Sequence, residues 1–282
     1  MKTIFWRRSF QCSALLLLAP LTHAEPPPNL SLGVVPQFTA TETLIRWAPV
    51  IERLQAACGL HIRLQPSTSI PAFEASFLGG SFDLAFMNPY HAVMAQRSQG
   101  YQPVVRDGKQ RLKGVLVVRA DSPYTKPQDL NGSTIAFPAP NAFGASLLMR
   151  AVLERAQGVK FTPEYVKTHS NAYRYVLTGQ APAAGGVEAT LQAEPPEIRS
   201  QLRVLFATPS FAPHPLTAHP RVKADTRDCI ERTLLRSSET PEGRSALEAI
   251  QVNEPVVASY LRDYAPLEQL SLESYVVQAP LR

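Results

Sequence analysis

Short apolar segments of the strand type alternate with stretches of helical periodicity along most of this 282-residue chain. Residues 32–35 form an apolar run that ends at Pro36. Residues 41–57 repeat their apolar side chains at helical spacing, with Leu44, Ala48 and Ile51 in one stripe. Strand-type runs follow at 61–64 and 82–87, again separated by a helical segment. Because strand–helix–strand units connect parallel strands, the alternation predicts an α/β fold.

The same alternation continues through the middle of the chain. We predict further strands at 102–105, 112–119, 133–137, 164–168, 183–187 and 202–207, and helices at 71–78, 90–99, 142–157, 171–178 and 198–201. From residue 222 we expect helix almost to the end, with breaks near the prolines. Residues 78–85 and 177–184 both read as a helix end, a Gly-containing turn and a small apolar strand. Two similar lobes would explain this similarity between the two segments, and so would chance. If the chain forms two lobes, the segments that cross from one lobe to the other are expected near 112–119 and 211–220.

The first 24 residues have the three parts of a secretory signal peptide. Lys2, Arg7 and Arg8 make a basic start, residues 12–18 are an apolar run, and Ala24 supplies a small residue at the end. The apolar run is much shorter than the roughly 20 residues that a membrane-spanning helix needs. We therefore expect a mature chain that begins after Ala24 and is soluble in the periplasm.

The charge of the chain gives little support to a nucleic-acid partner. The full chain has 28 Lys and Arg against 23 Asp and Glu, a net charge of +5. Loss of residues 1–24 removes three basic residues and no acidic one, which leaves 25 against 23, or +2. No Lys/Arg-rich run stands out, so the electrostatic footprint of a nucleic-acid-binding protein is missing.

Two cysteines, Cys58 and Cys229, remain after the signal peptide. Export permits a disulfide between them. Each also lies on the apolar stripe of a predicted helix, where a free thiol packs as a small hydrophobic group, and this reading is favoured. No Cys/His cluster has the spacing of a metal site, so we expect neither a metal nor a cofactor.

Several motifs together resemble one family. Residues 78–90 read LGGSFDLAFMNPY, residues 33–36 read GVVP, residues 129–137 read DLNGSTIAF, and Thr168 precedes His169 at the start of an amphipathic helix. In this order and spacing they are similar to the phosphate/phosphite/phosphonate-binding proteins of ABC transporters. The resemblance implies the two-lobed periplasmic-binding-protein fold of type II, with two hinge crossings. It implies a first lobe of residues 30–113 and 218–282 and a second lobe of residues 114–217.

The chain departs from the family where the ligand oxygens are expected. Phosphonate-binding members have several Ser and Thr residues after the strand that enters the second lobe, whereas residues 138–145 here read PAPNAFGA. The family's aspartate that faces a ligand amine appears as Pro182 or Ala183. Each lost hydroxyl donor removes roughly 0.5–1.5 kcal/mol or more from the binding of an oxyanion. A simple tetrahedral phosphonate therefore fits this chain less well than the resemblance suggests.

Candidate ligand-binding residues come from the edges where strands lead into helices. An aromatic wall is expected from three rings, and His169 matches the family's ligand-binding histidine. Backbone donors at the start of the 142–157 helix offer a site for an anion, and Asn141 reads equally as a helix cap or a ligand contact. Asp83 is expected to brace its turn, and His214 and His219 to be structural. The predicted ligand-binding set is Phe38, Asn88, Tyr90, Asn141, Ala142, Phe143 and His169.

Three functions are compatible with this pattern. The first is a monomeric binding protein that closes over a small anion and delivers it to an ABC permease. The second is the same scaffold acting as a sensor that presents its closed form to a membrane receptor such as a histidine kinase. The third, an enzyme with His169 as general base, is disfavoured because no Ser, Cys or carboxylate is placed to complete a catalytic set.

Overall fold

The computed structural model describes residues 28–278. The predicted signal peptide, residues 1–24, lies outside the described residues. Within the described part of the chain, no helix is both long enough and apolar enough to cross a membrane. Two β-sheets, each with its own helices, form two lobes, which confirms the predicted fold class.

The first lobe is built on a six-stranded mixed sheet in the order β11-β4-β10-β3-β1-β2. Its strands are β1 (Asn29–Val34), β2 (His61–Pro66), β3 (Leu84–Phe86), β4 (Gln102–Asp107), β10 (Pro215–Ala218) and β11 (Pro255–Val257). Strand β1 pairs in parallel with β2 and β3, whereas β10 runs antiparallel to β3 and β4. The parallel half is the part that strand–helix alternation predicts.

The second lobe is built on a five-stranded mixed sheet in the order β7-β6-β8-β5-β9. Its strands are β5 (Leu112–Arg119), β6 (Thr134–Phe137), β7 (Thr162–Tyr165), β8 (Ala183–Val187) and β9 (Leu202–Phe211). Strand β6 is parallel to β7 and β8, and β5 is antiparallel to β8 and β9.

Nine α-helices occur within the described residues. They are α1 (Ala40–Cys58), α2 (Ile70–Leu78), α3 (Pro89–Gln99), α4 (Leu148–Arg155), α5 (His169–Leu177), α6 (Glu188–Ala193), α7 (Pro196–Arg199), α8 (Ala224–Ser237) and α9 (Pro241–Ala249). The repeated sequence pattern corresponds to one repeated structure. Helix α2 leads through Gly80 (φ +70°) into β3, and α5 leads through Gly179 (φ +75°) into β8. Glycine suits both turns because positive φ costs it little.

The chain changes sheets twice. It leaves β4 at Asp107 and enters β5 at Leu112, and it returns between Phe211 and Pro215. The two crossings are therefore shorter than the predicted segments, because residues 112–119 belong to a strand. The predicted lobe limits, 113/114 and 217/218, stay a prediction.

Helix α1 forms where its periodicity predicts, but with a different buried face. Thr39 caps it by accepting from the Glu42 backbone N–H at 3.2 Å, and Gly59 ends it. Its buried residues are Thr43, Trp47, Val50 and Leu54, whereas Leu44, expected in the stripe, is 47% exposed. The aromatic side chain of Trp47 sets the face by packing edge-on against Phe86, with ring centroids 5.2 Å apart.

The prediction for the C-terminal third was wrong in part. After α8 and α9 the chain adds β11 to the first sheet. It then continues through a π-helical turn, Tyr260–Tyr264, and two short 3-10 helices, Ala265–Leu270 and Glu273–Tyr275, instead of long α-helix. The predicted 142–157 helix also differs, because residues Phe143–Leu147 form a π-turn before α4 begins.

Cys58 and Cys229 form a disulfide with Cα atoms 5.8 Å apart, so the favoured reading of two packed thiols was wrong. The bridge joins the end of α1 to α8 across 171 residues of sequence. Closing a loop of this length stabilises a fold by about 2–5 kcal/mol, chiefly through the unfolded chain.

Asp83 braces its turn as expected. Its carboxylate accepts hydrogen bonds from the backbone N–H and the hydroxyl of Ser31, both at 2.7 Å, and from Arg221 at 2.6 Å. These contacts, which outweigh the effect of burial, hold the pKa of Asp83 below its usual value. The bonds tie β1 to the turn before β3.

Candidate functional site

The start of α3 touches the second lobe directly. Asn88 is the N-cap of α3, and its Oδ1 accepts from the His91 backbone N–H at 2.8 Å. Its Nδ2 donates to the carbonyl of Asn141 at 3.2 Å. With 3% of its surface exposed, Asn88 joins the lobes at a buried contact. Its predicted role in ligand binding stays a prediction.

Asn141 is a connector between three parts of the chain rather than a helix cap. Its Nδ2 donates to Glu74 Oε2 and to the Val277 carbonyl, both at 2.8 Å, and its Oδ1 accepts from the Val277 N–H at 2.9 Å. Ala142 occupies the cap position of the π-turn, without any side-chain bond. The cap reading was therefore wrong: Asn141 is completely buried, and its amide is satisfied within the protein.

Glu74 and His91 form a buried pair that sequence reasoning missed. His91 Nε2 lies 2.8 Å from Glu74 Oε1, and the two side chains are 1% and 3% exposed. Glu74 thus receives hydrogen bonds from His91 in its own lobe and from Asn141 in the other. The available signal was that Glu74 is the single charged residue of the otherwise apolar helix α2.

Tyr90 and Phe143 pack face to face across the same contact. Their ring centroids are 6.2 Å apart with an angle of 5° between the planes, and Phe143 also meets Phe211 edge-on at 5.5 Å. Both are nearly fully buried. Burial, with the nearby Glu273 carboxylate, raises the pKa of Tyr90 to about 12, although its hydroxyl makes no hydrogen bond of good geometry within residues 28–278. Two of the predicted wall residues therefore fill the space between the lobes in this conformation.

The π-turn with Ala142 and Phe143 lies very close to the second sheet. A Cβ atom on Gly114 would stand 2.3 Å from the Gly144 carbonyl oxygen, and one on Gly185 would stand 2.1 Å from that of Ala145. Glycine in a strand interior often marks such an approach of another backbone segment. The glycines of β5 and β8 therefore position this turn.

Phe38 and His169 lie apart from the stacked rings. The Arg46 guanidinium sits 4.1 Å from the centroid of Phe38. His169 begins α5, is partly buried, and its Nδ1 lies 3.3 Å from the hydroxyl of Thr190. Desolvation of the imidazole by the surrounding protein lowers the pKa of His169 to about 4. It is therefore neutral at physiological pH.

A small cavity of about 60 Å³ lies between the lobes beside both crossings. The first lobe contributes Gln37 and Phe86, and the second contributes Val187 and Thr190. The remaining lining residues are Gln110, Arg111, Leu112, Lys113, Ala189, Pro213, His214 and Gln251. We call this space the hinge cavity. Since both lobes and both crossings line it, its shape depends on how the lobes are oriented.

His214, which was expected to be structural, lines the hinge cavity. Its ring stacks on Phe86 with centroids 5.7 Å apart, and its Nε2 lies 3.2 Å from Gln37 Nε2. Burial first, and then the electrostatic effect of the neighbouring His91 and His169 rings, lower the pKa of His214 to about 3. Two histidines from other elements thus lie close enough to influence His214. The position of His214 between two prolines was the only sequence signal.

Two cations lie at the hinge cavity. Lys113 is 3.6 Å from the Glu188 carboxylate. Arg111 is exposed and donates to the Ser210 carbonyl at 3.2 Å, with no salt bridge to any carboxylate of residues 28–278. Its charge is available to an anion.

The C-terminal segment ties the two lobes together. Arg97 of α3 forms salt bridges with Glu268 and Glu273 of this segment. From the other lobe, Arg150 donates to the Tyr275 carbonyl at 2.7 Å, and Arg155 donates to the carbonyls of residues 270 and 271. Together with the Asn141–Val277 bonds, these contacts hold the π-turn and α4 against the first lobe.

Comparison with known proteins decides the family. Residues 32–264 match the family described as ABC transporter, phosphonate, periplasmic substrate-binding protein. The chain belongs to this family. As a member of the phosphonate-binding family, it is a periplasmic substrate-binding protein, and this confirms the resemblance noted in its motifs.

Individual relatives of this substrate-binding protein are distant. It is 21% identical over 271 residues to the phosphonates-binding periplasmic protein of Escherichia coli K12, covering 91% of this chain and 80% of that protein. A binding-protein component of an ABC phosphonate transporter from Pseudomonas aeruginosa has a TM-score of 0.75 at 14% identity, covering 87% of this chain and 86% of that one. PhnD1 from Prochlorococcus marinus in complex with methylphosphonate also has a TM-score of 0.75, at 16% identity, covering 86% and 97%. At these identities the solved structures establish the shared two-lobed fold.

Proposed function

We propose that this protein carries a small oxyanion to an ABC permease and holds it in the hinge cavity. The supporting observation is that residues from both lobes and both crossings line this one space. A ligand there contacts groups on both sides, so it stabilises the closed arrangement of the lobes. Transport is favoured over sensing because the family is defined by ABC transporters.

The size and charge of the hinge cavity support a small anionic ligand. Its volume of about 60 Å³ is well below the roughly 300–1,000 Å³ of pockets for drug-sized molecules. Arg111 supplies a positive charge, while Gln37 and Thr190 supply polar groups. Methylphosphonate, phosphite and phosphate are the matching probes, although the missing hydroxyls of residues 138–145 argue for weaker binding of simple phosphonates than the family's usual loop provides.

A binding role rather than catalysis is proposed for the histidines. His169 is neutral, and its Nδ1 faces a hydroxyl at 3.3 Å. His214 is held between Phe86 and Gln37. We propose a monomer that acts in the periplasm after removal of residues 1–24, with no cofactor and no metal.

A thermal-shift screen of residues 25–282 with methylphosphonate, phosphite, phosphate and acetate tests this proposal, since ligand binding to the folded state raises Tm by mass action. The Arg111→Gln variant should lose most of the shift given by the best oxyanion. Arg174→Gln, which changes an exposed arginine of α5 outside the hinge cavity, is the matched control. If both variants keep the full shift, or if no oxyanion shifts the wild type, the proposal is wrong.

A further inference from the structure

A second concave surface, distinct from the hinge cavity, lies on the first lobe between α1 and α8. It is a groove of about 610 Å³. Three arginines line it, Arg53 from α1 and Arg232 and Arg236 from α8, together with Cys229, Thr233 and Ser237. We call it the arginine groove. None of its lining residues is a carboxylate.

Salt bridges distinguish other arginines of the chain from the three arginines of the groove. Within residues 28–278, none of them takes part in a salt bridge, in contrast to Arg97, Arg106 and Arg119 of the same chain. Arg232 and Arg236 are four residues apart on α8, so their side chains are neighbours on one face, and like charges at this spacing repel. An anion between the guanidinium groups would relieve this repulsion.

The walls of the arginine groove are fixed covalently. The Cys58–Cys229 disulfide joins α1 to α8 beside it, and the Thr233 hydroxyl lies 3.5 Å from Cys58 Sγ. The separation of the two helix backbones that carry Arg53 and the two arginines of α8 is therefore constrained before any ligand arrives. Preorganised donors lose less conformational entropy when they bind.

We propose that the arginine groove binds a multivalent, phosphate-bearing small molecule. Guanidinium groups bind phosphate oxygens through paired N–H donors, and three of them suit a ligand with more than one phosphate group. The concave shape and a volume within the roughly 300–1,000 Å³ range of small-molecule pockets favour this ligand over an acidic protein segment.

Isothermal titration calorimetry with pyrophosphate and orthophosphate tests this site. Pyrophosphate should bind wild-type protein at least tenfold more tightly than orthophosphate, because it reaches more than one guanidinium. The R232Q/R236Q double variant should weaken pyrophosphate binding at least tenfold. The R63Q/R174Q double variant removes the same charge from two exposed arginines outside the groove and should stay within twofold of wild type.

Three results would overturn the proposal. One is the absence of pyrophosphate binding by the wild type; another is an equal loss of affinity in both double variants, which would indicate non-specific attraction. The third is binding of a polyglutamate peptide, but not of pyrophosphate, through the same arginines. Arg111→Gln separates this site from the hinge cavity, because that variant should leave the response of the arginine groove to pyrophosphate unchanged.

Discussion

Two regions lie between the lobes, and they differ in how closely the lobes pack against each other. Around Asn88, Asn141, Tyr90 and Phe143, rings stack and the amide groups have partners within the protein. At the hinge cavity, space remains and Arg111 forms no salt bridge with a carboxylate of the described residues, 28–278. We infer from this difference that the first region holds the lobes together, whereas the second is the proposed ligand site.

The largest effect that separates the two regions is expected from Asn141→Ala. The variant removes one hydrogen bond to a buried carboxylate and two to the Val277 backbone, so the free energy of unfolding should fall by about 2–4 kcal/mol. Urea denaturation measures this loss. Asn171→Ala, which removes only one side-chain hydrogen bond, to the Val166 carbonyl, should cost about 1 kcal/mol. Equal losses of unfolding free energy in the two variants would contradict the stabilising role of the Asn141 hydrogen bonds between the lobes.

Filling the hinge cavity should affect binding instead of stability. Ala189 is exposed and lines the cavity, so the indole of Ala189→Trp would occupy the space of the ligand. We expect the affinity for the best oxyanion to fall at least tenfold, equivalent to about 1.4 kcal/mol. Ala193→Trp, at an exposed position of the same helix outside the cavity, should bind normally. Calorimetric titration of the two variants measures the difference in affinity. Normal binding by Ala189→Trp would show that the ligand does not bind in the hinge cavity.

The smallest expected effect is a pH dependence caused by His214. Its pKa in the folded protein is about 3, below the usual value of 6.5, so the unfolded chain binds a proton first as pH falls. The contribution of neutral His214 to the free energy of unfolding is fully present above about pH 6.5. It is lost progressively as the pH falls from there to about 3. His214→Gln should therefore show a shallower fall in Tm between pH 7 and 5 than the wild type. His61→Gln, outside the cavity, serves as the control, and identical slopes for wild type and His214→Gln would contradict this role.

Local periodicity and turn chemistry account for what the sequence could predict. Helix α1 and the repeated helix–turn–strand units formed where expected, because spacing and glycine positions are local properties. The disulfide was not predictable, since a cysteine on an apolar helix stripe looks the same whether it is free or paired. The antiparallel strands β10 and β11 were also not predicted, because short segments that begin with proline have no alternating strand pattern of their own.

The candidate site was less predictable than the fold. Edge positions such as Asn88, Tyr90 and Phe143 were found by their place after strands, but whether they line a pocket or fill it depends on packing between lobes. The pairing of Asn141 with Val277 joins residues separated by 136 positions. Nothing local in either segment indicates such a contact, and the same is true of His214 meeting Gln37 across 177 positions.

A crystal structure of the mature protein with the oxyanion that gives the largest thermal shift tests the central claim most directly. We predict electron density for the ligand in the hinge cavity, in contact with His214 and Thr190, with the Tyr90–Phe143 stack intact. Density for the ligand between Tyr90 and Phe143, with those rings separated and the hinge cavity filled only by solvent, would contradict the account.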